Sequence, residues 1–235
     1  MSNFRYTGLE LHLFAKASHW KWYWARKITP YLGARVLDVG AGIGSNIQLL
    51  RSDHQQWVAL EPDEVLASRM RETIAREALD EVCDIRTGTV WSLDPNEKFD
   101  TILYIDVLEH IEDDRAELER AANHLAAGGF LVVLSPAHQW LYTAFDKALG
   151  HVRRYTRKTL LATTPPSLRP EKVIYLDSVG IFASLGNRLF LQARVPSEAQ
   201  IKFWDAWMVP LSVHLDSGFR YRIGKTIIGI WQKCT

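Results

Sequence analysis

The chain is poor in cysteine, with Cys83 and Cys234 the only two among 235 residues. Two lone cysteines without metal-ligand spacing exclude a disulfide framework and point to a reducing compartment, the cytoplasm. An excess of either charge is also missing, since 28 Lys and Arg stand against 27 Asp and Glu. No extended basic face follows from such a balance, and nucleic acid is not an expected partner. No apolar run approaches the roughly 18 residues that a membrane span needs. The stretch Met1 to Glu10 lacks the apolar core of a signal peptide, so neither a transmembrane segment nor export is expected. Internal repeats are lacking too, which removes solenoids and propellers.

What is present suits a single domain over residues 1–235, because 47% hydrophobic residues can fill one substantial core. Short apolar runs rich in β-branched residues recur at Ala34 to Val39, Gln56 to Leu60, Val82 to Thr87, Phe99 to Asp106 and Phe130 to Leu134. Helical patterns open near Gly44, span Asp63 to Ala78 and enter through Glu112, Asp113 and Asp114 to end at Gly128-Gly129. Alternation of this kind predicts an α/β fold: three layers, Rossmann-like and doubly wound, on a mostly parallel seven-stranded sheet. The last two strands are expected at Lys172 to Leu176 and Thr226 to Trp231, with an insertion before the final one at 177–225. That insertion carries Phe182, Leu185, Leu189, Phe190, Phe203, Trp204, Trp207 and Met208, and is too long for a hairpin loop. It is expected to fold as a cap or an oligomer segment, with Trp204 and Trp207 on one helix face.

The strongest motif is Val36-Leu37-Asp38-Val39-Gly40-Ala41-Gly42-Ile43-Gly44, a buried strand feeding a glycine-rich turn. Glycine there lets backbone approach a ligand closely. A dinucleotide site would want glycine where Ser45 stands, so the spacing disfavours NAD. An acid followed by alternating glycines suits a cofactor with an amino-acid tail, whose ammonium would meet Asp38 and the backbone of Gly40, Ala41 and Gly42. Glu61, ahead of Pro62 at the end of the second strand, stands where an acid accepts ribose hydroxyls. Thr89 and Val90, after the third strand, are expected to hold the adenine. Together these features predict S-adenosylmethionine as the cofactor.

With Asp106-Val107-Leu108-Glu109-His110-Ile111 added, the stretch Val36 to Leu160 resembles class I methyltransferases. It is similar in particular to the bacterial small-molecule branch that includes the ubiquinone-biosynthesis O-methyltransferases. The resemblance implies Asp106 beside the sulfonium, an amino-terminal segment 1–33 whose Phe14 to Trp24 helix covers the cofactor through Trp20, and a flexible lid at Gly150 to Lys158 with a histidine and an aromatic residue. The double arginine of that lid departs from the ubiquinone enzymes.

Methyl transfer is an in-line displacement at an already activated carbon, so the protein mainly aligns the nucleophile and excludes water. For a hydroxyl acceptor a neutral histidine can serve as base, and His151 and His110 are the candidates. Arg153 and Arg154 beside Tyr155 suggest a grip on an anionic acceptor. A divalent cation at Asp106, Glu109 and His110, suggested by the relatives, is set aside, because one short turn seldom completes a metal site. The expected activity is methylation at oxygen or nitrogen of a small-molecule acceptor, with a homodimer possible. Two rivals stand beside it, a non-catalytic S-adenosylmethionine-binding protein and a membrane-surface lipid methyltransferase that uses Phe203 to Leu215 as an interfacial helix.

Overall fold

In the computed structural model, residues 16–79, 81–186 and 196–234 are described. Phe14, Leu189, Phe190 and residues 1–15 of the expected segment 1–33 lie outside them. Seven strands form one sheet: β1 (Arg35–Val39), β2 (Gln56–Glu61), β3 (Cys83–Thr87), β4 (Phe99–Ile105), β5 (Leu125–Pro136), β6 (Leu168–Leu176) and β7 (Thr226–Lys233). Their order is β3-β2-β1-β4-β5-β7-β6, and only β7 runs antiparallel to its neighbours. Successive strand residues bury on opposite faces, which the alternation of side chains along a strand requires. Val36, Leu103 and Val132 join one apolar cluster, while Leu37, Ile102 and Leu131 join the other.

Helices cover both clusters. On the first face lie α1 (Ser18–Ile28), α2 (Ser45–Leu50) and α3 (Glu64–Arg76), which contributes Met70 and Ile74. Asp63 caps α3 by accepting from the backbone of Val65 and Leu66, as expected of an acid before an apolar stripe. On the second face α4 (Asp114–Asn123) buries Leu118, Ala121 and Ala122, with Asp113 as its cap. Two short helices, α5 (Ala144–Leu149) and α6 (Arg157–Ala162), follow β5. No described helix is long and apolar enough to cross a membrane.

Two expectations need correction. The helix ahead of β5 stops at Asn123, and Gly128-Gly129 lie inside the strand. The pairing of β4 with β5 shifts register between Phe99 and Thr101, and a Cβ on Gly129 would come within 2.9 Å of the Asp100 carbonyl oxygen. Gly129 therefore serves a close approach of two paired strands and Gly128 a left-handed turn of the backbone at φ 74°, rather than a helix end. Trp204 and Trp207 do not share a face, since Trp204 is 6% exposed and Trp207 72%. Residues Trp204–Met208 form a π-helical turn, whose wider winding turns the two indoles apart.

Between β6 and β7 the chain forms α7 (Gly180–Gly186), α8 (Glu198–Phe203), the π turn and α9 (Val209–Gly218). Buried carboxylates pin this insertion to α1 and β6. Asp216 accepts from the Tyr23 hydroxyl at 2.8 Å and from the backbone of Asp177 and Ser178 at 2.7 and 3.0 Å. Asp205 accepts from the Trp20 backbone at 2.8 Å. Asp177 accepts from the Trp204 indole and the Ser212 hydroxyl, both at 2.7 Å. Replacing Asp216 with Ala strands three buried donors and is expected to cost on the order of 3 kcal/mol in urea unfolding. A loss below about 0.5 kcal/mol would show that the pinning contributes little.

Candidate active site

The carboxyl edge of β3-β2-β1-β4 collects the cofactor candidates. Gly40, Gly42 and Gly44 all take positive φ, at 65°, 59° and 82°, so the chain can leave β1 and turn at once into α2. The turn is tied to β2 at two points: Ala41 N–H donates to the Leu60 carbonyl at 2.9 Å and Gly42 N–H to Glu61 Oε2 at 2.8 Å. The other oxygen of Glu61 accepts from Asp63 N–H at 2.9 Å. A Cβ on Gly40 would lie 2.7 Å from the Val107 side chain, which shows how closely the β1 and β4 turns approach.

Asp38 is fully buried, and Asn46 Nδ2 reaches both its oxygens at 3.2 Å. Burial pushes its carboxyl up to about 7; the Asn46 hydrogen bond opposes this and the charge of Glu61 adds to it. Burial likewise raises Glu61, against its backbone hydrogen bonds. Beyond β3, Thr89 caps a short turn over Val90–Ser92, Val90 is buried, and Pro62 lies exposed beside Glu61. Trp20 is 8% exposed on α1 and packs on Trp204 at 5.7 Å between ring centroids.

At the end of β4 the backbone of Asp106 takes φ 55°, and its N–H donates to the Leu134 carbonyl at 2.9 Å. Lost hydration raises its carboxyl to about 6, against the pull of His151 and Lys225. Glu109 is fully buried; Ser135 donates to its Oε2 at 2.7 Å, while Oε1 has no hydrogen-bond partner among the described residues. Burial and the nearby Asp106 raise its carboxyl well above the usual range.

His110 and His151 meet edge to face with centroids 4.7 Å apart. Burial and then the neighbouring His151 lower His110 to about 4. His151, 9% exposed, directs Nδ1 to Asp146 Oδ1 at 2.9 Å and Nε2 toward Glu109 Oε1 at 4.0 Å. Ligand atoms of Glu109, His110 and His151 fall within 4.8 Å of one another, a donor set that suits a divalent cation. His151 thus stands in this group where Asp106 was considered from sequence.

The three residues expected to grip an acceptor are engaged within the protein. Arg154 forks onto buried Asp146, Nε to Oδ1 at 2.7 Å and Nη2 to Oδ2 at 2.9 Å. Burial alone would raise Asp146, but His151 and Arg154 outweigh it and hold the carboxyl down at about 2. Arg153 pairs with Asp114 and donates to the Glu112 carbonyl at 2.7 Å. Tyr155 is 1% exposed, and its hydroxyl donates to Asp114 at 2.7 Å. The backbone of Tyr155 bridges Ala137, so this end of the expected flexible lid is fastened to the extension of β5. Asp146 itself was missed from sequence. Its visible signal, Thr143-x-x-Asp146, reads as a helix capping box, which it also is.

A family model described as a methyltransferase domain matches residues 17–163, more than half of the chain. A ubiquinone biosynthesis O-methyltransferase of Bradyrhizobium diazoefficiens is 32% identical over 110 residues, covering 46% of this chain and 42% of that one. The chain thus aligns with less than half the length of this curated relative. Among solved structures, a geranyl diphosphate methyltransferase in complex with SAM superposes with a TM-score of 0.66 at 12% identity, over 99% of this chain and 92% of that one. A putative sarcosine dimethylglycine methyltransferase from Galdieria sulphuraria gives 0.62 at 16% identity, over 91% and 84%.

If Arg154 is a scaffold residue, Arg154→Ala leaves Asp146 buried without its fork. The expected loss is on the order of 3 kcal/mol in denaturant unfolding. A fully stable variant would return Arg154 to the acceptor.

Proposed function

The chain belongs to the methyltransferase-domain family, and from that premise we propose that it binds S-adenosylmethionine along the carboxyl edge of β2-β1-β4 and transfers the methyl group to a small-molecule acceptor. The observation that carries this reading is the pairing of two buried acids with one glycine turn: Asp38 behind it and Glu61 bonded to Gly42 N–H at 2.8 Å. Asp38 would attract the ammonium of the amino-acid tail, and Glu61 the ribose hydroxyls. Thr89, Val90 and Pro62 would flank the adenosine, Asp106 the sulfonium, and Trp20 the covering side.

Oxygen is the favoured acceptor atom, in line with the name of the curated relative. A hydroxyl acceptor loses a proton as the methyl group arrives, and His151 is placed to take it. Asp146 accepts from Nδ1–H, which leaves the lone pair on Nε2. His110, lowered to about 4, is neutral at pH 7 but too weak a base to compete. The engaged arginines give no support to an anionic acceptor. Exclusion of water, rather than a large set of catalytic groups, is the protein's main contribution.

Glu109 Oε1, which has no hydrogen-bond partner among the described residues, lies beside His110 and His151 and favours a second reading, in which these three would hold a divalent cation that would polarise the acceptor hydroxyl. Chelator treatment separates the two. Full turnover afterwards supports His151 as base, whereas loss restored by magnesium supports the cation.

Three outcomes are expected. Incubation with S-adenosylmethionine and metabolite extracts should yield a product heavier by one methylene; binding without any product would make the chain a non-catalytic binder. His151→Ala should lower kcat about a hundredfold while sparing cofactor affinity. Because cofactor binding needs ionised Asp38, whose carboxyl stands at about 7, affinity should fall by up to about tenfold per unit as pH drops from about 7 to 5.5, with proton release on binding. Calorimetry in buffers of different ionisation enthalpy reads both, and a pH-independent affinity would remove Asp38 from the site.

A further inference from the structure

The stretch from α8 through the π turn to α9 is apolar on two sides. Its inner side buries Ile201, Trp204 and Val209, with Asp205, Ser212 and Asp216 bonded beneath it. Its outer side carries Phe203, Trp207, Leu211, Leu215 and Phe219, spaced by four residues and exposed to 60%, 72%, 50%, 40% and 45%. Four-residue spacing makes neighbours of them along one slowly winding stripe. Monomeric proteins seldom leave so continuous an apolar strip in water.

The charges around the stripe decide what it meets. At its amino end, Glu198 is shared between Lys16 at 3.0 Å and Lys202 at 3.1 Å, leaving a net positive charge. At its carboxyl end, exposed Arg220 and Arg222 alternate with Phe219 and exposed Ile223. The other two acids of this stretch, Asp205 and Asp216, are buried underneath. Both ends are therefore positive. A second copy of the chain, whether parallel or antiparallel, would set like charge against like. An anionic lipid surface satisfies both features, because acyl chains accept the apolar side chains and headgroups meet the flanking lysine and arginines.

We propose that this outer face of α8–α9 docks the protein onto anionic membrane surfaces, with the helix lying in the plane of the interface. The proposal stands apart from methyl transfer and holds for a binder as well as for an enzyme. It also sets the helix whose inner side carries Trp204, packed on Trp20, against the lipid.

The test is co-sedimentation of the full chain with phosphatidylcholine vesicles, alone or with about 30% phosphatidylglycerol, beside light scattering of the lipid-free protein. Binding to the anionic vesicles should be at least about tenfold stronger than to neutral ones and should weaken with salt. The double substitution Trp207→Glu and Leu211→Glu should abolish it while the thermal midpoint and far-UV spectrum hold. Arg220→Glu with Arg222→Glu should remove the preference for anionic lipid. The lipid-free protein should be a monomer. Absence of vesicle binding, or binding that survives Trp207→Glu and Leu211→Glu, overturns the proposal. A dimer that the same pair dissolves also overturns it, and gives the stripe to a second copy.

Discussion

The hydrogen bond from Gly42 N–H to Glu61 is the constraint on which the rest of the site depends. It locks the left-handed glycine turn after β1 to the end of β2, and so brings the turn that follows Asp38 against Glu61. Glycine is required here for a reason the geometry states directly. The φ values are positive, and a Cβ at Gly40 would run into Val107. The cost of this arrangement is electrostatic, since a fully buried Asp38 near Glu61 holds its proton until about pH 7. A cationic ligand group beside Asp38 would relieve that cost.

A second set of buried carboxylates builds the other walls. Asp146 gathers His151 and Arg154 and holds the segment after β5. Asp177, Asp205 and Asp216 tie the insertion to α1 and β6. In each case the carboxylate accepts several hydrogen bonds, the condition under which a buried acid is tolerable. The histidine that faces Glu109 is therefore bonded to a carboxylate that Arg154 and the Thr143 backbone also engage.

The fold was legible in sequence because its signals are local. Strand runs of β-branched residues, the Asp63 and Asp113 caps and the glycine turn each depend on neighbours a few positions away. Most of what was not legible depends on partners brought in by the fold. Gly128-Gly129 read as a helix end because the neighbouring strand that Gly129 approaches, at Asp100, is invisible from their own surroundings. Arg153 and Arg154 read as an acceptor grip because Asp114 and Asp146 reach them only after the chain has turned back on itself. The indoles of Trp204 and Trp207 were placed together by ordinary helical spacing, and a π turn parted them. The encounter of His151 with Glu109 and His110 joins the segment after β4 to the segment after β5, which no spacing rule could show.

The most direct test of the central claim is a calorimetric comparison of S-adenosylhomocysteine binding to the intact protein and to Glu61→Ala. The account predicts one site per chain in the intact protein and an affinity lower by about a hundredfold in the variant, as expected for lost charge-assisted hydrogen bonds to ribose. Equal affinity in the two proteins, or no binding to the intact one, would contradict it.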